Sequence, residues 1–105
     1  MASEKSSFEL HLEKLKSEYS AQLPTKNTAI KSDWQLLNNT WQSELMVQLH
    51  RNVHSLIGTS GTFGFTDISK TARTLEELFK PLLAQKAEDY TIDPKLYEEA
   101  MNIIN

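Results

Sequence analysis

Apolar residues recur at steps of three and four along almost the whole chain, and nowhere do they alternate with polar residues over a useful length. Steps of three and four gather side chains on one face of an α-helix, whereas a half-buried strand needs strict alternation. The chain is therefore expected to be all-α. Phe8, Leu12, Leu15, Tyr19 and Leu23 form a first stripe. Pro24 is expected to end it, because the residue before a proline avoids the helical region. Thr25 or Asn27 then offers a cap for a second helix with the stripe Ile30, Trp34, Leu37 and Trp41. Asn38-Asn39-Thr40 reads as its end, and Thr40 or Ser43 as the cap of a third helix carrying Leu45, Leu49, Val53 and Leu56. Gly58 and Gly61 are tolerated inside that helix at about 1 kcal/mol each relative to alanine. Gly64 suits a helix stop, where φ > 0 is wanted.

Thr66 or Asp67 is positioned to cap a further helix with Ile68, Ala72, Leu75, Leu78, Phe79 and Leu82, which Pro81 must kink or restart. Asp93-Pro94 is a cap followed by proline at the first helical position, so Leu96, Tyr97, Ala100, Ile103 and Ile104 belong to a short last helix. Short connections between amphipathic helices favour antiparallel neighbours. The expected architecture is an up-and-down four-helix bundle with an extra short helix, in a single domain spanning 1–105.

Charge and composition narrow the partners. The net charge is −3, which argues against sequence-independent nucleic-acid binding. The most basic stretch, Lys5 to Lys16, is interleaved with Glu, so no polybasic membrane patch stands out. There is no Cys, no apolar core of signal-peptide length and no run approaching the ~18 residues that span a bilayer. These features point to a cytoplasmic protein that binds neither nucleic acid nor membrane.

All three glycines fall in one short run, LHRNVHSLIGTSGTFGF at 49–65, beside two histidines four apart. On a helix, His54 has His50 and Arg51 one turn before it and Ile57 and Gly58 one turn after, on the same face. Leu49, Val53, Leu56 and Phe63 fall toward the other side. His54 should thus face water on a helix anchored by a core, where an imidazole is a usable nucleophile and proton carrier. Gly58 leaves room beside it for a phosphoryl group or for a partner's backbone.

This run resembles the histidine-containing phosphotransfer (HPt) domain, whose usual form is His-x-Leu-Lys-Gly, small residues, Gly, then a helix with Ala and Leu-Glu. Here the matching residues are His54, Leu56, Gly58, Ser60, Gly61, Gly64, Ala72 and Leu75-Glu76. The segments around Tyr19–Pro24, Trp34, Leu49–Leu56 and Gly61–Phe65 are similar to HPt modules at the N-terminus of bacterial receiver–diguanylate cyclase proteins. The resemblance implies a four-helix bundle that relays phosphate between response-regulator receiver domains, including those of a hybrid histidine kinase or a receiver–diguanylate cyclase chain. His54 would be the phospho-acceptor, attacking through Nε2, with His50, Arg51, Ser55, Ile57, Gly58 and Gly61 as supporting residues. It also implies no metal or ATP site in the chain, Mg²⁺ being supplied by the receiver, so the domain is a carrier rather than an independent catalyst. One departure stands out: Ile57 occupies the place where the family often has Lys. Arg51, Lys70 and Arg73 are the nearest alternative cations.

Plainer readings compete. His50 and His54 at i, i+4 fit one Zn²⁺, yet Arg51-Asn52-Val53 between them lacks the Glu of a metalloprotease motif, and a cation beside a metal is unfavourable. His50 reads instead as a solvated or partner-facing residue, and His11 as incidental. Phe63 and Phe65 read as plugs at one end of the bundle. Trp34 and Trp41 read as core, the alternative being a dimer interface. Glu76-Glu77 and Glu98-Glu99 read as solvated faces. Ile57 motivates a second function, a receiver-binding module that does not transfer phosphate, and a third is a dimerisation module. The expected state is a monomer.

Overall fold

A computed structural model of the protein describes residues 6–105. Four α-helices, α1 (Ser7–Asn39), α2 (Ser43–Thr62), α3 (Thr66–Phe79) and α4 (Pro94–Ile104), follow one another with no strand among the described residues. A 3-10 segment, Lys80–Ala84, continues from α3. Helix α1 packs on α2 and α4, and α3 packs on the same two, so the helices form a closed up-and-down ring. The extra short element is the 3-10 segment, and α4 is the fourth wall of the bundle. Lys5, the first residue of the mixed-charge stretch, lies outside the described residues. None of the helices is long and apolar enough to cross a membrane.

Pro24 does not end α1. The helix runs through it for 33 residues. A proline inside a helix removes one i→i−4 hydrogen bond and costs ~3 kcal/mol. The carbonyl it frees is that of Ser20, and both Ser20 and Pro24 are exposed, so water satisfies it. Thr25 and Asn27 are accordingly interior helical residues rather than caps. The helix begins at Ser6, whose hydroxyl accepts from Glu9 N at 3.1 Å, and it ends at Thr40, where the Asn-Asn-Thr run was expected to stop it.

The link from α2 to α3 is three residues long. Phe65 N donates to Ser60 O at 2.8 Å and Gly64 N to Gly61 O at 3.1 Å, with Gly64 at φ +80°. This is the Schellman arrangement, and it requires a residue free of a Cβ at Gly64. Phe65 closes α2 and also occupies the cap position of α3, so neither Thr66 nor Asp67 caps it. Likewise α2 starts at Gln42 without a side-chain cap, rather than at Thr40 or Ser43. Asp93 does cap α4, accepting from Lys95 N at 3.0 Å ahead of Pro94.

Both tryptophans are in the core. Trp34 is wholly buried between Phe79 and Tyr97, and its Nε1 donates to Tyr97 O at 3.2 Å. Trp41 packs edge-on against Tyr90 and donates to Gln85 O at 3.1 Å. The buried stripe of α2 is Met46, Leu49, Val53, Ile57 and Ser60. Ile57 therefore belongs to the core and not to the face of His54, while Leu56 is only half-buried. Ile57 follows Val53 by four residues, and α2 turns that line toward the bundle axis because it is flanked by α1 and α3 together.

The first half of the α1 stripe has no bundle to meet. Tyr19 is buried against Phe63 and Phe65, and its hydroxyl bonds to the buried Ser60 Oγ at 3.0 Å. Every described residue before Tyr19 is exposed, including Phe8, Leu12 and Leu15. A helix of this length is about 50 Å long, against about 30 Å for α2. The molecule measures 66 × 21 × 20 Å.

Candidate functional site

His54 lies in the middle of α2, with its side chain 71% exposed. The adjacent Val53 is fully buried, so the backbone that carries the imidazole is anchored while the ring stands in solvent. Its Nδ1 is hydrogen-bonded to Oε2 of Glu76 on α3. A carboxylate can only accept, so Nδ1 donates, and the neutral ring then carries its lone pair on Nε2. Glu76 is itself largely sheltered, at 14% side-chain exposure, and its Leu75 neighbour is in the core. The carboxylate is thus held from the α3 side, and the outward ring edge with Nε2 is left for a partner.

His50 is not a solvated residue. Its side chain is 21% exposed, and its Nε2 is buried 3.7 Å from the same Glu76 oxygen, without a hydrogen-bond partner. The two imidazoles lie nearly parallel, 6.3 Å apart. Glu76 thus faces both histidines, but only His54 is hydrogen-bonded to it. The remaining residues singled out from the sequence separate into two groups. Arg51 on α2 and Lys70 and Arg73 on α3 are exposed and make no ion pair among the described residues, so their charges are available to an incoming anion. Ser55 instead lines the crevice between α1 and α2 with Tyr19, Lys26 and Leu56. Gly61 is part of the α2–α3 contact, where a Cβ would meet Ser69 Oγ at 3.7 Å. Ser69 is buried and donates to Ile57 O at 3.1 Å, which ties the two helices together just below the histidine. No group of three or more His, Cys, Asp or Glu among the described residues is arranged to hold a metal ion.

An exposed histidine at mid-helix of a four-helix bundle is the arrangement that the resemblance to phosphotransfer domains implies. The family model for the Hpt domain matches residues 10–103. The chain belongs to the Hpt family. No curated protein and no solved structure is matched by it. Hpt domains act in phosphotransfer within two-component signalling, and their partners are response-regulator receiver domains and histidine kinases.

Within this Hpt domain, Glu76 is the residue that reading the sequence missed. It sits beside Glu77, which is exposed and pairs with Lys80, and the doublet suggests a solvated face. The signal was the Leu75-Glu76 pair: a buried Leu at one position fixes which way the next side chain projects.

Gly58 is exposed, and an added Cβ would meet nothing within 4 Å. Its substitution separates packing from access. Gly58→Ala is expected to stabilise the bundle by about 1 kcal/mol in urea unfolding, through helix propensity alone. The same variant is expected to slow phosphoryl uptake from a receiver, because the methyl group narrows the approach beside His54. A stabilised variant with unchanged uptake would remove the access role assigned to Gly58.

Proposed function

We propose that His54 accepts a phosphoryl group from the aspartyl phosphate of a receiver domain and passes it to the aspartate of another. The observation that carries this reading is the His54 Nδ1–Glu76 hydrogen bond, which leaves the Nε2 lone pair exposed. Nε2 attacks phosphorus in line with the leaving carboxylate of the receiver. The N–P bond forms as the P–O bond breaks, the aspartate departs with the electron pair, and the ring becomes a phospho-imidazolium that keeps its proton on Nδ1. Glu76 then faces a positive ring, which its negative charge stabilises. Transfer onward reverses these steps with a second receiver aspartate as nucleophile.

Little covalent chemistry is asked of the protein, so the work is positioning and charge compensation. Mg²⁺ belongs to the receiver in this reading. With Ile57 in the core, compensation of the phosphoryl oxygens falls to Arg51, Lys70 and Arg73, the exposed cations of α2 and α3. Gly58 keeps the helix surface low where the receiver must approach.

The test is to mix the domain with receivers charged by acetyl phosphate and to follow its intact mass. Gain of one phosphoryl group, lost in acid and stable in base, is the expected result. A folded domain that binds charged receivers yet never gains mass would replace the relay by a docking module that does not transfer phosphate.

A further inference from the structure

Helix α1 continues its apolar stripe for three turns beyond the end of the bundle. Phe8 is 74% exposed, Leu12 41% and Leu15 38%, and they share the helix face that Tyr19 and Ile30 bury further along. Contiguous apolar surface of this kind on a projecting helix marks an interaction site. We propose that it is covered by the same segment of a second copy of this chain, in an antiparallel two-helix pairing.

Sterics and charge both select that occupant and that orientation. The stripe faces the side on which the bundle lies. Two copies paired in parallel would drive both bundles into the same space just past Tyr19. Reversed, each extension lies across the end of the other bundle. Phe8 of the second copy then arrives at the half-buried Phe63 and Phe65, the rings that cover Tyr19. Phe8, Leu12, Leu15 and Tyr19 are spaced as alternating d and a positions of a heptad. Antiparallel, Leu12 packs opposite Leu15, a layer that occurs twice by the two-fold axis, and Phe8 of each copy lies level with Tyr19 of the other, against the Phe63 and Phe65 rings that cover it.

In this register the flanking residues pair by opposite charge. Glu9 lies opposite Lys16 of the second copy, again twice. Lys16 Nζ already lies over the Phe65 ring at 5.3 Å, on the flank where Glu9 of the second copy would arrive. The overlap from Phe8 to Tyr19 is about 16 Å long. Such an interface is at the small end of specific ones, on the order of 1,000 Å² in total. A dissociation constant on the order of 10–100 µM is expected. The proposal differs from the monomer expected from the sequence, and it places the dimer contact on α1 rather than on the tryptophans, which are buried.

Sedimentation equilibrium of the 105-residue chain, from about 5 µM to about 500 µM so as to bracket that constant, tests the proposal. The mass should rise from 12.0 kDa toward twice that value. Leu12→Glu should hold it at the monomer at every concentration, with helical circular dichroism retained. Lys16→Glu should weaken the dimer roughly fivefold or more, and Glu9→Lys combined with Lys16→Glu should restore it. Glu9 and Lys16 are two turns apart in one chain, too far to pair with each other, so rescue can only come from a second copy. A monomer throughout, a dimer insensitive to Leu12→Glu, or a double variant as weak as the single one would each overturn the proposal.

Discussion

Replacing His54 with glutamine is expected to abolish phosphoryl uptake completely while leaving the bundle folded. The side chain is mostly in solvent, and glutamine is at least as good a helix former as histidine. Its amide can still donate to Glu76, so the stability should change by less than about 0.5 kcal/mol. What glutamine lacks is a lone pair of sufficient nucleophilicity at the place where Nε2 sits. His50→Gln is the informative control. His50 is half-buried and its Nε2 points at Glu76 rather than at solvent, so its loss should leave uptake on His54 intact. Phosphate that persists in His54→Gln but disappears in His50→Gln would move the site by one helical turn.

Removing the carboxylate of Glu76 has the second large effect. With Glu76→Ala the imidazole of His54 has no orienting partner, and its neutral form divides between two tautomers. The phospho-imidazolium also loses its adjacent negative charge. By analogy with other histidines held by a carboxylate on their second nitrogen, uptake is expected to slow by about 10- to 100-fold. Glu76→Gln is the sharper probe. An amide can donate as well as accept, so it no longer enforces the proton on Nδ1. Nitrogen chemical shifts of the His54 ring report the tautomer directly. A purely structural role for Glu76 would leave those shifts unchanged while lowering stability, and that result would discard the orienting role.

The fold was legible because helical periodicity is a local property. Stripes at steps of three and four gave the helices, Asp93-Pro94 gave the start of α4, and Gly64 gave the end of α2. Each miss arose where a neighbour decides. Pro24 stops a helix only if the freed carbonyl has no alternative, and here it faces water. The stripe of Phe8, Leu12 and Leu15 is as regular as the rest of α1, yet it is buried only as far as α2 and α3 reach, and their lengths set that limit. Ile57 is the more deeply buried of the pair and Leu56 packs at the edge of the core, because α2 is wedged between two helices, which rotates its buried line by part of a turn.

The same logic divides the candidate site. The exposure of His54 and Gly58 was legible from one helix, since both lie away from its buried line. Glu76 was not, because only the packing of α3 on α2 brings its carboxylate to Nδ1. The half-buried state of His50 has the same origin. A carboxylate on a second helix leaves almost no mark in sequence spacing, and it is here the group that engages Nδ1 and leaves Nε2 free.

In the proposed relay, Nε2 of His54 holds the phosphoryl group while Nδ1 keeps its proton against Glu76. The most direct measurement is a long-range proton–nitrogen correlation spectrum of the phosphorylated, nitrogen-15-labelled domain. Phosphorus coupling at Nε2 of His54, with Nδ1 protonated, is the expected result. Phosphorus coupled to Nδ1, or to either nitrogen of His50, would contradict it.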